Sequence, residues 1–206
     1  RRRDAAADRR LGLRAGGARA RVTVRVEYEL EPGARVGRHD DDAGYGPTDY
    51  RRLGLLADAL RPGPSDAFLD LGCGAGRVLC FMSAAGAGRC VGVELDPHAL
   101  AAARANAAAT SARTGRPVEV HEADAAALPA ELADAATLVF LYNPFGVATL
   151  RDALRALDAS RARRPRALTL AYYNPVHRRL LDGQGWLAAD ERLMDAANIG
   201  LWRSRP

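Results

Sequence analysis

The chain is predicted to fold as an α/β protein around a doubly wound, mostly parallel sheet. Short apolar runs that end in polar residues alternate with helix-length segments, which is the pattern of βαβ units. The first of these runs leads into three glycines at alternate positions, Gly72, Gly74 and Gly76. A second run ends near Glu94, 22 residues after Gly72. One helix and one strand separate the ends of the two apolar runs, so both ends should lie at the same edge of the sheet. We therefore expect the glycines and the carboxylate to meet there.

Length and composition fit one domain of this kind. The 206 residues are 48% hydrophobic, which is enough to bury a full core without a second module. The three cysteines, Cys73, Cys80 and Cys90, have no C-x-x-C spacing and lie in apolar or glycine-rich segments. This usage favours reduced, packed thiols in a cytoplasmic protein. No run approaches the roughly 18 apolar residues of a membrane span, so no membrane partner is predicted.

The positive charge is concentrated at the N-terminus. Residues 1–21 contain eight Arg and two Asp, whereas the remaining chain has 22 basic and 23 acidic residues. We therefore expect residues 1–20 to be a basic, flexible segment and residues 21–206 to be a single domain with a nearly neutral body. A nucleic-acid partner stays an alternative, although it is disfavoured because the charge belongs to the tail and not to the body.

Two features are expected between the basic segment and the core. Residues 21–30 alternate apolar and polar side chains, which predicts a strand with one buried face. Thr48 is predicted to cap a helix that runs to about Leu60, so that residues 21–62 hold a strand and a helix and residues 66–206 hold the core. The loop between them contains His39 and residues 40–42, three aspartates. A metal is disfavoured there because adjacent acids cannot all face one ion.

Further elements follow from caps, periodicity and turn residues. Asp96 and Pro97 begin a helix well, and the Ala-rich stretch after them extends it to about Ala109. Asn106 is expected on its inner face. The remaining expected elements are strands at 68–71, 90–95, 117–121, 136–142 and 166–173, helices at about 77–85 and 147–157, and a hairpin from 185–194 and 198–202.

The two glycine-to-acid motifs resemble a known family. D-L-G-C-G-x-G at residues 70–76, followed by G-V-E-L-D at 92–96, is similar to the class I S-adenosylmethionine-dependent methyltransferases, here in a small, single-domain, bacterial form. The resemblance implies a Rossmann-like, seven-stranded sheet with a C-terminal antiparallel hairpin. Dinucleotide dehydrogenases usually carry G-x-G-x-x-G. Here Arg77 occupies the place of the third spaced glycine, so the motif is less similar to that of the dehydrogenases.

The resemblance implies S-adenosyl-L-methionine as cofactor and S-adenosyl-L-homocysteine as product. Glu94 would hold the ribose, and Asp124 would accept a hydrogen bond from the adenine amine. Asp70 would organise the loop and the cofactor's amino group. The cofactor-binding residues implied are Asp70, Gly72, Cys73, Gly74, Gly76, Glu94, Asp124 and Asn143. The alternatives are an ordinary glycine turn and an ordinary loop aspartate.

A second motif concerns the methyl acceptor. Residues 143–146 read N-P-F-G after a predicted strand, which resembles the N-P-P-Y motif of amino-group methyltransferases. This resemblance implies that Asn143 and Pro144 orient a target nitrogen and that Phe145 packs against the substrate. The sequence departs from that motif because the second proline is absent and the aromatic residue is displaced by one. A strand that simply ends in an Asn-Pro turn is the structural alternative.

Other candidates lie beside this motif or before the core. Tyr172 and Tyr173 end the next predicted strand, and Asn174 and His177 follow it. These four residues are expected to line an acceptor pocket together with Asn143. His177 is the candidate general base because its pKa in model compounds is near neutral. A capping or surface role is the alternative for His177. By resemblance to related methyltransferases, Tyr45, Thr48 and Tyr50 are candidate lid and substrate contacts, and their alternative role is packing.

The resulting functional prediction is methyl transfer to a nucleophile, more readily nitrogen, on a peptide, protein side chain or small metabolite, without a metal. The alternatives are an O-methyltransferase on a small molecule, a nucleic-acid methyltransferase and a noncatalytic cofactor-binding partner. An aminopropyl transferase is disfavoured because Asn143 stands where an acid is expected. An NAD-dependent oxidoreductase is disfavoured because the chain has no lysine for a Tyr-x-x-x-Lys pair.

Overall fold

The structure, a computed structural model, describes residues 48–142, 145–190 and 197–206. The helices are α1 (Tyr50–Leu60), α2 (Arg77–Ala85), α3 (Pro97–Thr114), α4 (Ala130–Ala135), α5 (Val147–Arg163) and α6 (Arg178–Asp182). The strands are β1 (Ala67–Leu71), β2 (Arg89–Glu94), β3 (Val118–Glu122), β4 (Leu138–Leu141), β5 (Thr169–Tyr173), β6 (Leu187–Asp190) and β7 (Ile199–Ser204). The strand predicted at residues 21–30, Tyr45 and the pair Asn143 and Pro144 lie outside the described residues.

The described strands form one seven-stranded sheet in the order β3-β2-β1-β4-β5-β7-β6. Strands β1 to β5 are parallel, while β7 runs antiparallel to both β5 and β6. This arrangement confirms the predicted Rossmann-like sheet with its C-terminal hairpin. The chain order reverses between β1 and β4, which creates the crevice where open α/β sheets bind their ligands.

Two core layers cover the two faces of the sheet. Alternate strand residues point to opposite faces, so Phe68 and Phe140 pack with α1, α2 and α3, and their rings lie 6.3 Å apart. Their neighbours Leu69 and Val139 pack against α4 and α5 on the other face. The same alternation separates Tyr172 from Tyr173. Tyr172 is fully buried in the second layer, so its predicted place beside Tyr173 in one pocket is wrong.

Several predicted boundaries move, each for a local reason. The N-cap of α1 is Asp49, whose Oδ1 accepts the Arg52 N–H at 3.0 Å, and not Thr48. A carboxylate is as good a cap as a hydroxyl, and Thr48 is itself buried. Helix α3 begins at Pro97 after the Asp96 cap as predicted, yet it continues to Thr114 because no residue stops it before Gly115, which adopts φ 69°.

The C-terminal hairpin is attached through side chains as well as through the strand ladder. Trp202 is buried in β7, and its Nε1–H donates to Asp182 Oδ1 of α6 at 2.9 Å. Strand β7 therefore ties α6 to the sheet beside the end of β5. None of the helices in the described part of the chain is long and apolar enough to cross a membrane.

Candidate functional site

The glycine loop connects β1 to α2 at the crevice. Gly72, Gly74 and Gly76 have φ angles of 78°, 54° and 81°, a region that residues with a Cβ seldom adopt. Their N–H groups are used within the protein, since Gly72 donates to Val93 O, Gly74 to Glu94 and Gly76 to Cys73 O. The glycines supply the backbone conformation and the space beside it.

Glu94 supports this loop directly. Its Oε2 accepts the Gly74 N–H at 2.8 Å, and its Oε1 accepts the N–H groups of Leu95 at 2.8 Å and Asp96 at 3.0 Å. The predicted meeting of glycine loop and strand-end acid is thus present in the structure. A carboxylate has about four acceptor positions, so one position remains for a ligand hydroxyl.

Asp70 lies under the loop in β1, between Gly92 of β2 and Phe140 of β4. It is 2% exposed, and its Oδ2 has no hydrogen-bond partner among the described residues. Burial raises the pKa of Asp70 well above its usual range, and the nearby Glu94 charge raises it further. A buried acceptor without a partner is the kind of group that a cationic ligand would satisfy.

We predict that Asp70→Asn stabilises the ligand-free protein at pH 8. Because the folded pKa is raised, the native state keeps a proton that the unfolded chain loses near pH 4. Stability therefore falls as the pH rises from about 4 through the folded pKa. The substitution removes this loss, so urea unfolding should show a gain of about 1 kcal/mol or more at pH 8 and a smaller gain at pH 5. A loss of stability at pH 8 would show instead that Asp70 is ionised and paired.

Asn106 of α3 holds the loop from the other side. Its Nδ2–H donates to the Ala75 backbone carbonyl at 2.9 Å, and the Asn106 backbone carbonyl accepts from the Cys80 thiol at 3.6 Å. The sequence indicates only that Asn106 is an inner-face residue. A single amide on the buried side of an Ala-rich helix is the signal that points to this role.

Cys73 lies within the glycine loop, between Gly72 and Gly74. Its thiol is buried, and burial raises its pKa well above the usual value, so it is a neutral thiol and not a nucleophile. All three cysteines are free and buried.

Arg77 was missed as a site residue by the sequence reasoning. It is the first residue of α2 and is 8% exposed, and its Nη1 donates to the Thr48 carbonyl at 3.2 Å. Its guanidinium carbon also lies 5.1 Å from the centre of the Tyr50 ring, which gives a cation–π contact. Tyr50, a predicted lid contact, further packs on Phe81 at 6.2 Å. Arg77 therefore attaches the start of α1 to the glycine loop.

An aromatic pair marks the ends of β4 and β5. The rings of Tyr142 and Tyr173 lie 4.1 Å apart, and Arg52 of α1 lies 5.4 Å from the Tyr173 ring centre. Burial, followed by the neighbouring Tyr142, raises the pKa of Tyr173, so its hydroxyl is neutral at physiological pH. Tyr142 immediately precedes Asn143 in the sequence. The predicted substrate residue Tyr173 is therefore beside the segment that carries the second motif.

Asn174 follows Tyr173 in a left-handed conformation, with φ 52°, and Asn198 before β7 has φ 55°. The two residues are joined twice, because Asn174 N–H donates to Asn198 O at 2.9 Å and Asn198 Nδ2–H donates to Asn174 Oδ1 at 3.2 Å. Strained backbone of this kind costs about 1–3 kcal/mol per residue and persists where the surroundings fix it. Asn198 is a second residue that the sequence reasoning missed.

The other predicted site residues are spread around this edge. Asp124 is exposed and its Oδ1 accepts the Ala126 N–H at 2.8 Å. His177 is half-buried and directly precedes α6. Phe145 is partly buried and packs on the second core layer.

A protein-family comparison fits this geometry. The family described as methyltransferase domain matches residues 68–163, from β1 through α5. The match contains both the glycine loop and Glu94. This match supports a class I S-adenosylmethionine-dependent methyltransferase. The Rossmann-like sheet and its hairpin are those expected for such a methyltransferase.

Curated relatives match only part of this chain. It is 38% identical over 82 residues to the ribosomal protein L11 methyltransferase of Cupriavidus necator, covering 40% of this chain and 25% of the relative. The Burkholderia mallei protein of the same name is 37% identical over 78 residues, covering 38% and 24%. The chain spans about a quarter of the length of these relatives.

Solved structures agree with the methyltransferase fold. The precorrin-6y C5,15-methyltransferase of Geobacter metallireducens has a TM-score of 0.56 at 20% identity and covers 77% of this chain and 89% of its own. A methyltransferase from Geobacter sulfurreducens has a TM-score of 0.53 at 19% identity and covers 76% and 78%. At these identities the likeness concerns the fold alone.

Proposed function

We propose that this chain transfers a methyl group from S-adenosylmethionine to a nitrogen nucleophile. The observation that carries the proposal is the contact between the glycine loop and Glu94 at the switch point of the sheet. An open α/β sheet binds its ligand at this place. A strand-end acid beside the loop suits a ribose with two adjacent hydroxyls.

The described residues fit such a cofactor. Glu94 would hold the ribose through its remaining acceptor position, and the buried, unpartnered Oδ2 of Asp70 would face the cofactor's amino group. Asp124, at the start of the short turn after β3, would accept from the adenine amine. Bound there, S-adenosylmethionine would supply a methyl group already activated by its sulfonium and would leave as S-adenosylhomocysteine. The protein then needs mainly to orient the acceptor.

The acceptor side is proposed to centre on Asn143 and Pro144. A carboxamide oxygen and a proline carbonyl would accept the N–H groups of the target, which aims the nitrogen lone pair at the methyl group. The close pair of Tyr142 and Tyr173 next to this segment supports an aromatic-walled acceptor site. His177, at the end of β5, is proposed to receive the proton that the methylated nitrogen loses.

We further propose that the acceptor is a peptide, a protein side chain or a small metabolite, and that the protein acts in the cytoplasm. The name of the partial relatives supports a protein acceptor. The buried free cysteines support a reducing compartment. The glycine loop and Glu94 are also compatible with a noncatalytic cofactor-binding protein, which would keep them and tolerate loss of Asn143.

The proposal is tested by Asn143→Ala with a methyl-labelled cofactor and panels of peptides, amines and hydroxyl compounds. We expect the wild-type protein to transfer label to the amine or peptide panel and not to the hydroxyl compounds. The label should also survive mild base, since methylamines resist base and methyl esters do not. The variant should lose at least 100-fold in rate because one orienting acceptor is gone. Its S-adenosylhomocysteine affinity should change less than threefold.

Transfer by Asn143→Ala at the wild-type rate would show that Asn143 only ends a strand. Transfer to the hydroxyl compounds, or base-labile label, would move the assignment to oxygen. Cofactor binding without transfer to any panel would favour the noncatalytic alternative.

A further inference from the structure

A pocket lies at the carboxyl edge of the sheet, on the side of β5. Its volume is about 560 Å³, and its lining comes from the first residue of α5 and the loop that leads into α6, namely Val147, Val176, His177, Arg178, Arg179 and Leu180. The size falls within the range of small-molecule sites, which is about 300–1,000 Å³. None of these residues is proposed to bind the cofactor. Among them, only His177 has a proposed role so far, which is that of the base.

The wall of this pocket is apolar and exposed. Val147 is 39% exposed and Val176 is 58% exposed, and Leu95, at 48%, is the third large hydrophobic residue exposed in the described ranges. Two of these three side chains thus line one pocket. Exposed apolar side chains that cluster in a concave surface are typical of a ligand site, whereas scattered ones need no explanation.

The rim of the pocket is cationic. Arg178 pairs with Asp182 at 3.1 Å, so its charge is largely offset. Arg179 is exposed and makes no ion pair with any residue that the structure describes. Its guanidinium is therefore exposed at the rim, where a ligand can reach it. The combination of an apolar wall and an exposed guanidinium favours a ligand that has an apolar body and an anionic group.

We infer that this pocket binds a small methyl acceptor that carries a carboxylate on an apolar skeleton. The inference rests on the proposed function, because it names the substrate class of the same site. The carboxylate would meet Arg179, and the skeleton would cover Val147 and Val176. The pocket includes His177, the proposed base, so a ligand seated there would contact one residue of the proposed acceptor site.

The test uses two naphthalene probes of equal size and opposite charge, 2-naphthoate and 2-naphthylmethylammonium, titrated by fluorescence into the full chain. We expect one 2-naphthoate to bind per chain and the ammonium probe to bind at least tenfold more weakly. Arg179→Glu should weaken 2-naphthoate about tenfold, because it replaces an attraction with a repulsion. Arg104→Glu, which makes the same charge change on α3 beside β3, should alter the affinity less than twofold.

Equal affinity of the two probes, an unchanged affinity in Arg179→Glu, or no saturable binding would overturn the inference. Displacement of 2-naphthoate by an acidic hexapeptide at much lower concentration than by a free acidic amino acid would also overturn it, in favour of a peptide acceptor. S-adenosylhomocysteine is titrated into the same samples. Its failure to bind would refute the proposed function, whereas normal cofactor binding with failed probe binding would refute only the pocket assignment.

Discussion

Glu94→Ala should both loosen the glycine loop and abolish cofactor binding. The Glu94 carboxylate accepts three backbone N–H groups, from Gly74, Leu95 and Asp96. Because water can replace part of these bonds at a half-buried position, we expect a loss of about 2–3 kcal/mol in the free energy of unfolding. We expect S-adenosylhomocysteine affinity, measured by calorimetry, to fall about 100-fold or more, since the proposed ribose acceptor disappears as well.

Glu122→Ala is the matched control. Glu122 ends β3 directly opposite Glu94 in the strand register, its side chain is 62% exposed, and its contact with Arg104 is 3.9 Å. An exposed pair of this kind contributes less than about 1 kcal/mol, so stability and affinity should hardly change. If Glu94→Ala behaves like Glu122→Ala, the loop does not depend on the strand-end carboxylate and the site is placed wrongly.

Gly92→Ala should be strongly destabilising although it adds only one methyl group. A Cβ at Gly92 would lie 2.6 Å from both Cys73 Sγ and Leu79 Cδ1 and 2.9 Å from Cys73 Cβ. Contacts below 3 Å force a shift, and Cys73 cannot shift without moving the glycine loop. We expect a loss of about 1–3 kcal/mol, which is about 2–12 °C in Tm for a chain of this size, together with weaker S-adenosylhomocysteine binding.

Gly54→Ala provides the opposite result from the same chemical change. A Cβ at Gly54, in α1, would meet nothing within 4 Å, and alanine is favoured over glycine inside a helix by about 0.5–1 kcal/mol. This variant should therefore be stabilised, as measured by thermal unfolding. Gly92→Ala with wild-type stability and affinity would show that β2 and the glycine loop do not pack as closely as described.

The sequence was sufficient to predict the sheet and the glycine loop because both depend on local signals. Gly72, Gly74 and Gly76 must adopt left-handed conformations, and the run that ends at Glu94 fixes the next strand by its apolar pattern. Asp96 and Pro97 likewise determine the start of α3. These features are decided by residues that lie within one βαβ unit of each other.

The supporting contacts of the loop could not be predicted in the same way. Arg77 reaches the carbonyl of Thr48, which lies 29 residues earlier, and Asn106 reaches the carbonyl of Ala75, which lies 31 residues earlier. Both partners are backbone atoms, so no residue type at the receiving position reveals the contact. The contact between Asn174 and Asn198 could not be predicted either. A left-handed asparagine is recognised from its φ angle and not from its neighbours in sequence.

Tyr172 and Tyr173 lie on opposite faces of the sheet, and the sequence does not predict which tyrosine lies on which face. Adjacent residues of a strand must point to opposite faces of the sheet, so only one of the two tyrosines can share a face with Tyr142. The strand pattern by itself does not say which one. The helices packed on each face decide it, and they place Tyr173 with Tyr142 and Arg52.

The most direct test of the central claim is a calorimetric titration of the purified wild-type chain with S-adenosylmethionine, S-adenosylhomocysteine and NAD. Our account predicts that both sulfur ligands bind one per chain with micromolar affinity, and that NAD at millimolar concentration does not bind. Binding of NAD alone, or of none of the three, would contradict it. The glycine loop and Glu94 would then be a structural turn and not a cofactor site.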